Sequence, residues 1–256
     1  MLTDSLWFPP VVALLAALAW SGFFRWRKRP ATAGLGLPIA VAIGFALLLG
    51  VMNASPRQLF ERLPLLAMAA LLLGLPLCLL TRRWFVAVMT GLGAVLCGWW
   101  MAGGPLVEAD LMRAAPVLLT LALIMPLVMV ESAGPWRGAL ASVALAAGLW
   151  ASGVPGPWML LAMILAAGAL GQQVAGGGPA PDAARLPLAI LLTALLAGPV
   201  LARGAPADWA AALVPLAPLL LATRLFPRAK GWRGLVPMLP LAALPGVLAW
   251  WLARSG

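Results

Sequence analysis

Side chains that could do chemistry are scarce in this sequence. The 256 residues include seven Asp or Glu and two Cys, with no His and no Tyr. Without His the chain lacks the commonest metal ligand and general base. The two thiols, Cys78 and Cys97, lack the spacing of a redox or zinc motif. We therefore expect no catalytic residue, no metal site, no cofactor and no enzymatic activity, and we interpret both cysteines as small packing residues.

A few charged residues border apolar segments, where they could contact a ligand or a partner protein. Glu131 and Arg137 flank one short turn and could pair or line a vestibule. Arg224 lies about one helical turn from the end of an apolar segment, so we expect its side chain to extend to the membrane surface. Glu108 and Asp110 could bind a cation or a partner's arginine, although a solvated turn is the simpler interpretation.

Two basic turns are candidate docking points for anionic lipid or an acidic partner, although membrane topology alone also explains them. They contain Arg25, Arg27, Lys28 and Arg29, and Arg228, Lys230 and Arg233. The formal net charge is +10, which in a soluble protein would suggest nucleic-acid binding. Here the basic residues lie between apolar runs, so we expect the lipid bilayer, including its anionic lipids, and other membrane proteins as partners, and no nucleic acid.

The elements that carry these residues are predicted to cross a membrane. The chain is 64% hydrophobic and 9% charged, with a mean hydropathy of +1.03, whereas soluble domains have about 45–50% apolar and about 25% charged residues. This composition excludes a soluble enzyme, a disordered chain, collagen and a disulfide scaffold. It predicts an all-α polytopic transmembrane bundle, and we expect that bundle in a bacterial cytoplasmic membrane.

About ten apolar segments approach the length of roughly 20 residues that a spanning helix needs. They are residues 7–24, 35–53, 64–80, 84–102, 114–130, 138–152, 157–171, 186–202, 209–225 and 235–252. Segments 138–152 and 157–171 are short, and glycine and proline at 153–157 prevent one continuous helix. They form either two short spans or a re-entrant pair, so the prediction is ten spans or eight plus that pair. Gln172 and Gln173 would then cap a helix and lead into a loop.

Lysine and arginine are unevenly divided between alternate loops. Twelve of the 17 lie in the loops that contain positions 25–29, 82–83, 137, 185 and 224–233. Cytoplasmic loops carry the excess of basic residues, which predicts that both termini lie on the non-cytoplasmic side. Tryptophans near segment ends, including Trp158, are expected at the membrane interface.

We expect residues 1–256 to form one integral membrane domain. Basic turns marked by Trp84, Trp136 and Trp232 raise the hypothesis of five helical hairpins of about 50 residues. The alternative is that short loops repeat in this way in any polytopic protein.

Three functions remain open. The leading hypothesis is a non-catalytic accessory or structural subunit that packs against other membrane proteins. A small transporter or exporter of an apolar or weakly polar solute would need a polar cavity lined by Thr90, Thr120, Thr193 or the carbonyls freed by internal prolines. A lipid-modifying enzyme would need Glu131 or Glu108 to converge with arginines near a cleft.

Overall fold

The computed structural model describes residues 6–50, 58–154, 156–225 and 236–255. Within these ranges every regular element is a helix. Short 3-10 helices, Leu59–Arg62 and Pro76–Cys78, flank α4. The α-helices are α1 (Phe8–Trp26), α2 (Pro30–Ala33), α3 (Gly36–Leu49), α4 (Leu63–Gly74), α5 (Arg83–Met101), α6 (Glu108–Glu131), α7 (Arg137–Ala151), α8 (Gly156–Gly176), α9 (Asp182–Ala202), α10 (Pro206–Leu225) and α11 (Met238–Ser255).

Eight of the described helical stretches are long and apolar enough to cross a membrane. Two of these are composite: Pro30–Leu49 joins α2 to α3, and Leu59–Cys78 joins α4 to its flanking 3-10 turns. The helix α7 is shorter, with 15 residues, and α10 has 20 residues. The protein is therefore an all-α polytopic bundle, as the composition predicts, and each of the ten predicted segments is helical over most of the residues that the structure describes.

Two predicted boundaries are wrong. The helix α6 begins at Glu108 rather than near position 114, so both acids of the predicted loop belong to its first turn. The helix α8 continues past Gly171 to Gly176 and has 21 residues, so it is not a short segment. Gly171 serves packing, because a Cβ there would lie 2.7 Å from the Leu14 carbonyl oxygen. A glycine required by a neighbouring helix resembles a helix terminator in the sequence.

The break between α7 and α8 is confirmed. The helix α7 ends at Ala151, and Gly153 follows with a φ of +63°. The Gly153 amide donates to the Trp150 carbonyl and the Val154 amide donates to that of Leu149. A glycine in the left-handed region just after a helix closes its last turn in this way. The chain then reverses, and α8 packs against α7.

The helix α9 lies at the centre, and 78% of the residues in its apolar window are buried. Three groups of helices surround it: α1, α3 and α8; α4, α5 and α6; and α7, α10 and α11. Every group has members that pack directly on α9. Trp158, which we predicted at the membrane interface, is instead buried against Gly198 of α9 and makes an edge-to-face contact with Phe60.

Residues from the two predicted sets of loops lie at opposite ends of α9. At its first turn, Arg185 reaches the Met129 carbonyl near the end of α6. At its last turn, Leu201 shares a cavity of about 520 Å³ with Arg62 and Asp110. Arg185 of the richer set therefore lies at one end, and Arg62 of the poorer set at the other. Which end faces the cytoplasm stays a prediction.

Candidate functional site

An apolar groove opens between α7, α10 and α11, and we refer to it as the α7–α11 groove. Its volume is about 560 Å³. Residues from all three helices line it, among them Ala144, Ala147, Gly148, Val214, Gly246 and Trp250. Its lining is almost entirely apolar, and among the described residues it contains no charged side chain. The groove can therefore bind a ligand only by matching its shape and by letting it come close to the helix backbones.

Small residues give the groove its depth. On α7, Ala144 and Gly148 are four residues apart, as are Ala147 and Ala151, so each pair shares one helix face. A Cβ on Gly148 would lie 2.9 Å from Val214 Cγ2, so this glycine is already used by the α7–α10 contact. A Cβ on Gly246 would find only Val214 Cγ2, at 3.9 Å. The space in front of Gly246 is therefore open.

The charged residues that the sequence singles out and the structure describes do not line this groove. Glu131 is half-buried in the last turn of α6, and Arg137 is half-buried in the first turn of α7. The Arg137 side chain folds back over its own turn, where a Cβ on Gly134 would lie 2.7 Å from its Nε. The predicted role of this turn as a partner contact stays a prediction.

Glu108 and Asp110 are exposed in the first turn of α6. Asp110 Oδ1 lies 3.9 Å from Arg113 Nη1, one turn further along the helix. Acidic side chains at a helix N-terminus interact favourably with the helix dipole. Their place at the start of a long helix therefore accounts for both residues.

The first basic turn is exposed at Arg25, Arg27, Lys28 and Arg29, as a docking surface requires. Arg224 is exposed in the last turn of α10. The other predicted docking residues, Arg228, Lys230 and Arg233, lie outside the described residues.

Sequence reasoning missed two buried or half-buried ion pairs. Arg185 donates to Asp182 Oδ1 (2.7 Å) and, through Nε (3.2 Å) and Nη2 (2.6 Å), to the Met129 carbonyl. Arg203 binds the fully buried carboxylate of Asp208, which also accepts from the Ala205 amide at 3.2 Å. The three-residue spacing of Asp182 and Arg185 in one helical turn is a sequence signal for the first pair. Nothing in the sequence indicates that the Met129 carbonyl accepts hydrogen bonds from Arg185.

None of the three threonines that a transport path would need lines the cavities of about 520, 220 and 560 Å³ among the described residues. Thr90 donates to the Val86 carbonyl at 2.7 Å, and Thr120 donates to the Pro116 carbonyl at 2.7 Å. Thr193 is fully buried in α9, and its hydroxyl has no hydrogen-bond partner within the described parts of the chain. Thr193 is therefore enclosed by packed apolar side chains.

Comparison of the sequence with models of protein families and with curated proteins finds no match. The class that the fold defines is a polytopic, all-α integral membrane protein.

Proposed function

We propose that this protein is a non-catalytic integral subunit of the bacterial cytoplasmic membrane that binds a transmembrane helix of a partner protein. The α7–α11 groove carries the proposal. Lipid tails are as apolar as leucine, so helices associate in membranes through close packing of small residues rather than through hydrophobicity. The groove presents alanines and a glycine on two helices with open space in front of them.

The length of α7 favours a protein helix over lipid as the occupant. Its 15 residues rise only about 22 Å at about 1.5 Å per residue, which is less than the hydrocarbon core of about 30 Å. Short spans are accommodated by thinning the bilayer or by associating with other helices. A partner helix seated along α7 would remove the lipid contact where the mismatch is greatest.

The test is a pull-down of tagged protein from its native membrane in a mild detergent, with the intact assembly weighed by native mass spectrometry. We expect one or a few membrane proteins in stoichiometric amounts. Gly246→Leu fills the groove and should reduce co-purification at least tenfold. Gly91→Leu is the matched control, because Gly91 is exposed inside α5 with no atom within 4 Å of an added Cβ.

Equal co-purification with both leucine variants would overturn the groove as the binding surface. A lone monomer or homodimer would overturn the subunit proposal and would direct attention to solute transport in liposomes. Identical elution of both variants from a size-exclusion column establishes that each is folded.

A further inference from the structure

A small cavity with a few polar groups in its lining lies between α1, α2 and α8, at the end of the bundle that carries the first basic turn. Its volume is about 220 Å³. Its lining includes Ser21, Arg25, Gln172, Gln173 and Pro181. The cavity shares no lining residue with the α7–α11 groove, and its residues come from different helices.

The walls of the cavity are fixed by hydrogen bonds and close packing. Ser21 Oγ donates to the Ala33 carbonyl at 2.9 Å, and Trp20 Nε1 donates to the Thr32 carbonyl at 3.0 Å. These bonds tie α2 to α1. Gly34 of the adjoining turn lies so close to Pro181 that an added Cβ would overlap the proline ring. The cavity is thus preformed.

Two glutamines on α8 supply polar groups to this cavity. Gln172 is 7% exposed and Gln173 is 6% exposed. Gln173 Nε2 donates to the Gly178 carbonyl at 3.0 Å, which holds the loop after α8. Within the described residues, the Gln172 carboxamide makes no hydrogen bond. Because Gln172 also lines the cavity, its carboxamide can donate to a ligand that enters it.

Arg25 places a positive charge at the mouth of the cavity. A Cβ on Gly177 would lie 3.5 Å from Arg25 Nη2, so the guanidinium rests over the loop that follows α8. In the described part of the chain Arg25 forms no ion pair. Arg27 differs, because its guanidinium lies 5.2 Å from the Phe23 ring centroid and 5.5 Å from that of Trp26, outside the cavity lining.

We propose that this cavity binds a phosphate group, with the Arg25 guanidinium and the Gln172 amide as donors. A guanidinium matches two phosphate oxygens at once, and an amide N–H₂ supplies further donors. The cavity lies where the spanning part of α1 ends, which is the level of lipid headgroups. The phosphate therefore comes either from an anionic lipid or from a small phosphate compound.

The first experiment is native mass spectrometry of the full-length protein titrated with dioleoylphosphatidylglycerol in detergent. We expect Arg25→Gln and Gln172→Glu each to weaken lipid binding at least tenfold. Arg27→Gln is the matched control: it removes the same charge from the same turn and should weaken binding less than threefold. Gln172→Leu, which has no donor, gives a second variant should the glutamate form fold poorly.

Inorganic phosphate distinguishes the two sources. If sodium phosphate raises the melting temperature of the parent protein but not of Arg25→Gln or Gln172→Leu, the site takes a free phosphate compound. If only phosphatidylglycerol binds with this dependence, the site takes a lipid headgroup. Equal losses in all three arginine and glutamine positions would overturn the proposal in favour of diffuse surface charge. Unchanged binding in the Arg25 and Gln172 variants would also overturn it.

Discussion

The helix α9 and the groove-lining helix α11 differ in what surrounds them rather than in what they are made of. In α9, 78% of the residues in the apolar window are buried, whereas in α11 only 11% are. Apart from charged residues near their ends, both are largely apolar, because lipid and protein interior favour the same side chains. The difference shows that close packing, set by small residues and a few polar contacts, determines which helix is central. Three pairs of substitutions test this contrast.

The largest effect is expected where α9 meets Trp158. A Cβ on Gly198 would overlap the indole ring of Trp158. Gly198→Leu therefore forces the rigid indole away from α9 and separates α8 from α9. We expect a loss of about 3 kcal/mol or more in the free energy of unfolding, measured by titrating the purified protein with dodecyl sulfate in mixed micelles. Gly246→Leu inserts the same side chain into the open groove and should change stability by less than about 1 kcal/mol. Equal losses would contradict the contrast.

A smaller effect is expected where α9 is joined to the groove-lining helix α10. The fully buried carboxylate of Asp208, in the first turn of α10, is held by Arg203 and the Ala205 amide. Asp208→Ala should lower stability by about 2 kcal/mol, because it removes hydrogen bonds to a charged group. Asp110→Ala is the control: its pairing with Arg113 is exposed and 3.9 Å long, so its removal should cost less than about 0.5 kcal/mol. Thermal unfolding in detergent compares the two.

The smallest effect, with the opposite sign, is expected at Thr193. Its hydroxyl is buried in α9 without a partner in the described structure, so Thr193→Val should stabilise the protein by about 1 kcal/mol. Thr90→Val, which removes a hydroxyl bonded to the Val86 carbonyl, should give no gain. A destabilised Thr193→Val protein would mean that this hydroxyl has a function in the packed centre. Both proteins can be compared in the same dodecyl sulfate titration.

The helices could be predicted from the sequence, but their arrangement could not. The apolar windows of α6 and α9 have mean hydropathies of 2.1 and 1.9, yet only 22% of the α6 window is buried. Because a lipid-facing helix needs no polar side, hydropathy holds no information on which helix is central. Gly171 and Trp158 were misinterpreted for the same reason, since each is explained by a neighbour from a distant part of the chain.

The candidate sites were predictable only in part. The basic turn at 25–29 can be recognised from the sequence because charged residues are rare in it. Gln172 was interpreted as part of a helix cap, and only the packing of α1 and α2 against α8 shows that it faces a cavity. The groove depends on the meeting of three helices, so the alanines and glycines that line it look ordinary in a sequence with 27 glycines.

The central position of α9 has a consequence for biosynthesis. The helices α3 to α6 and α8 all pack against α9 and are all made before it. Because the chain enters the membrane in order, these helices lie in lipid before α9 is present. The space that α9 occupies in the finished bundle is not filled by protein until α9, which begins at residue 182, has been inserted. Assembly therefore finishes late, and nascent chains that stop before Asp182 should be the ones that membrane proteases degrade.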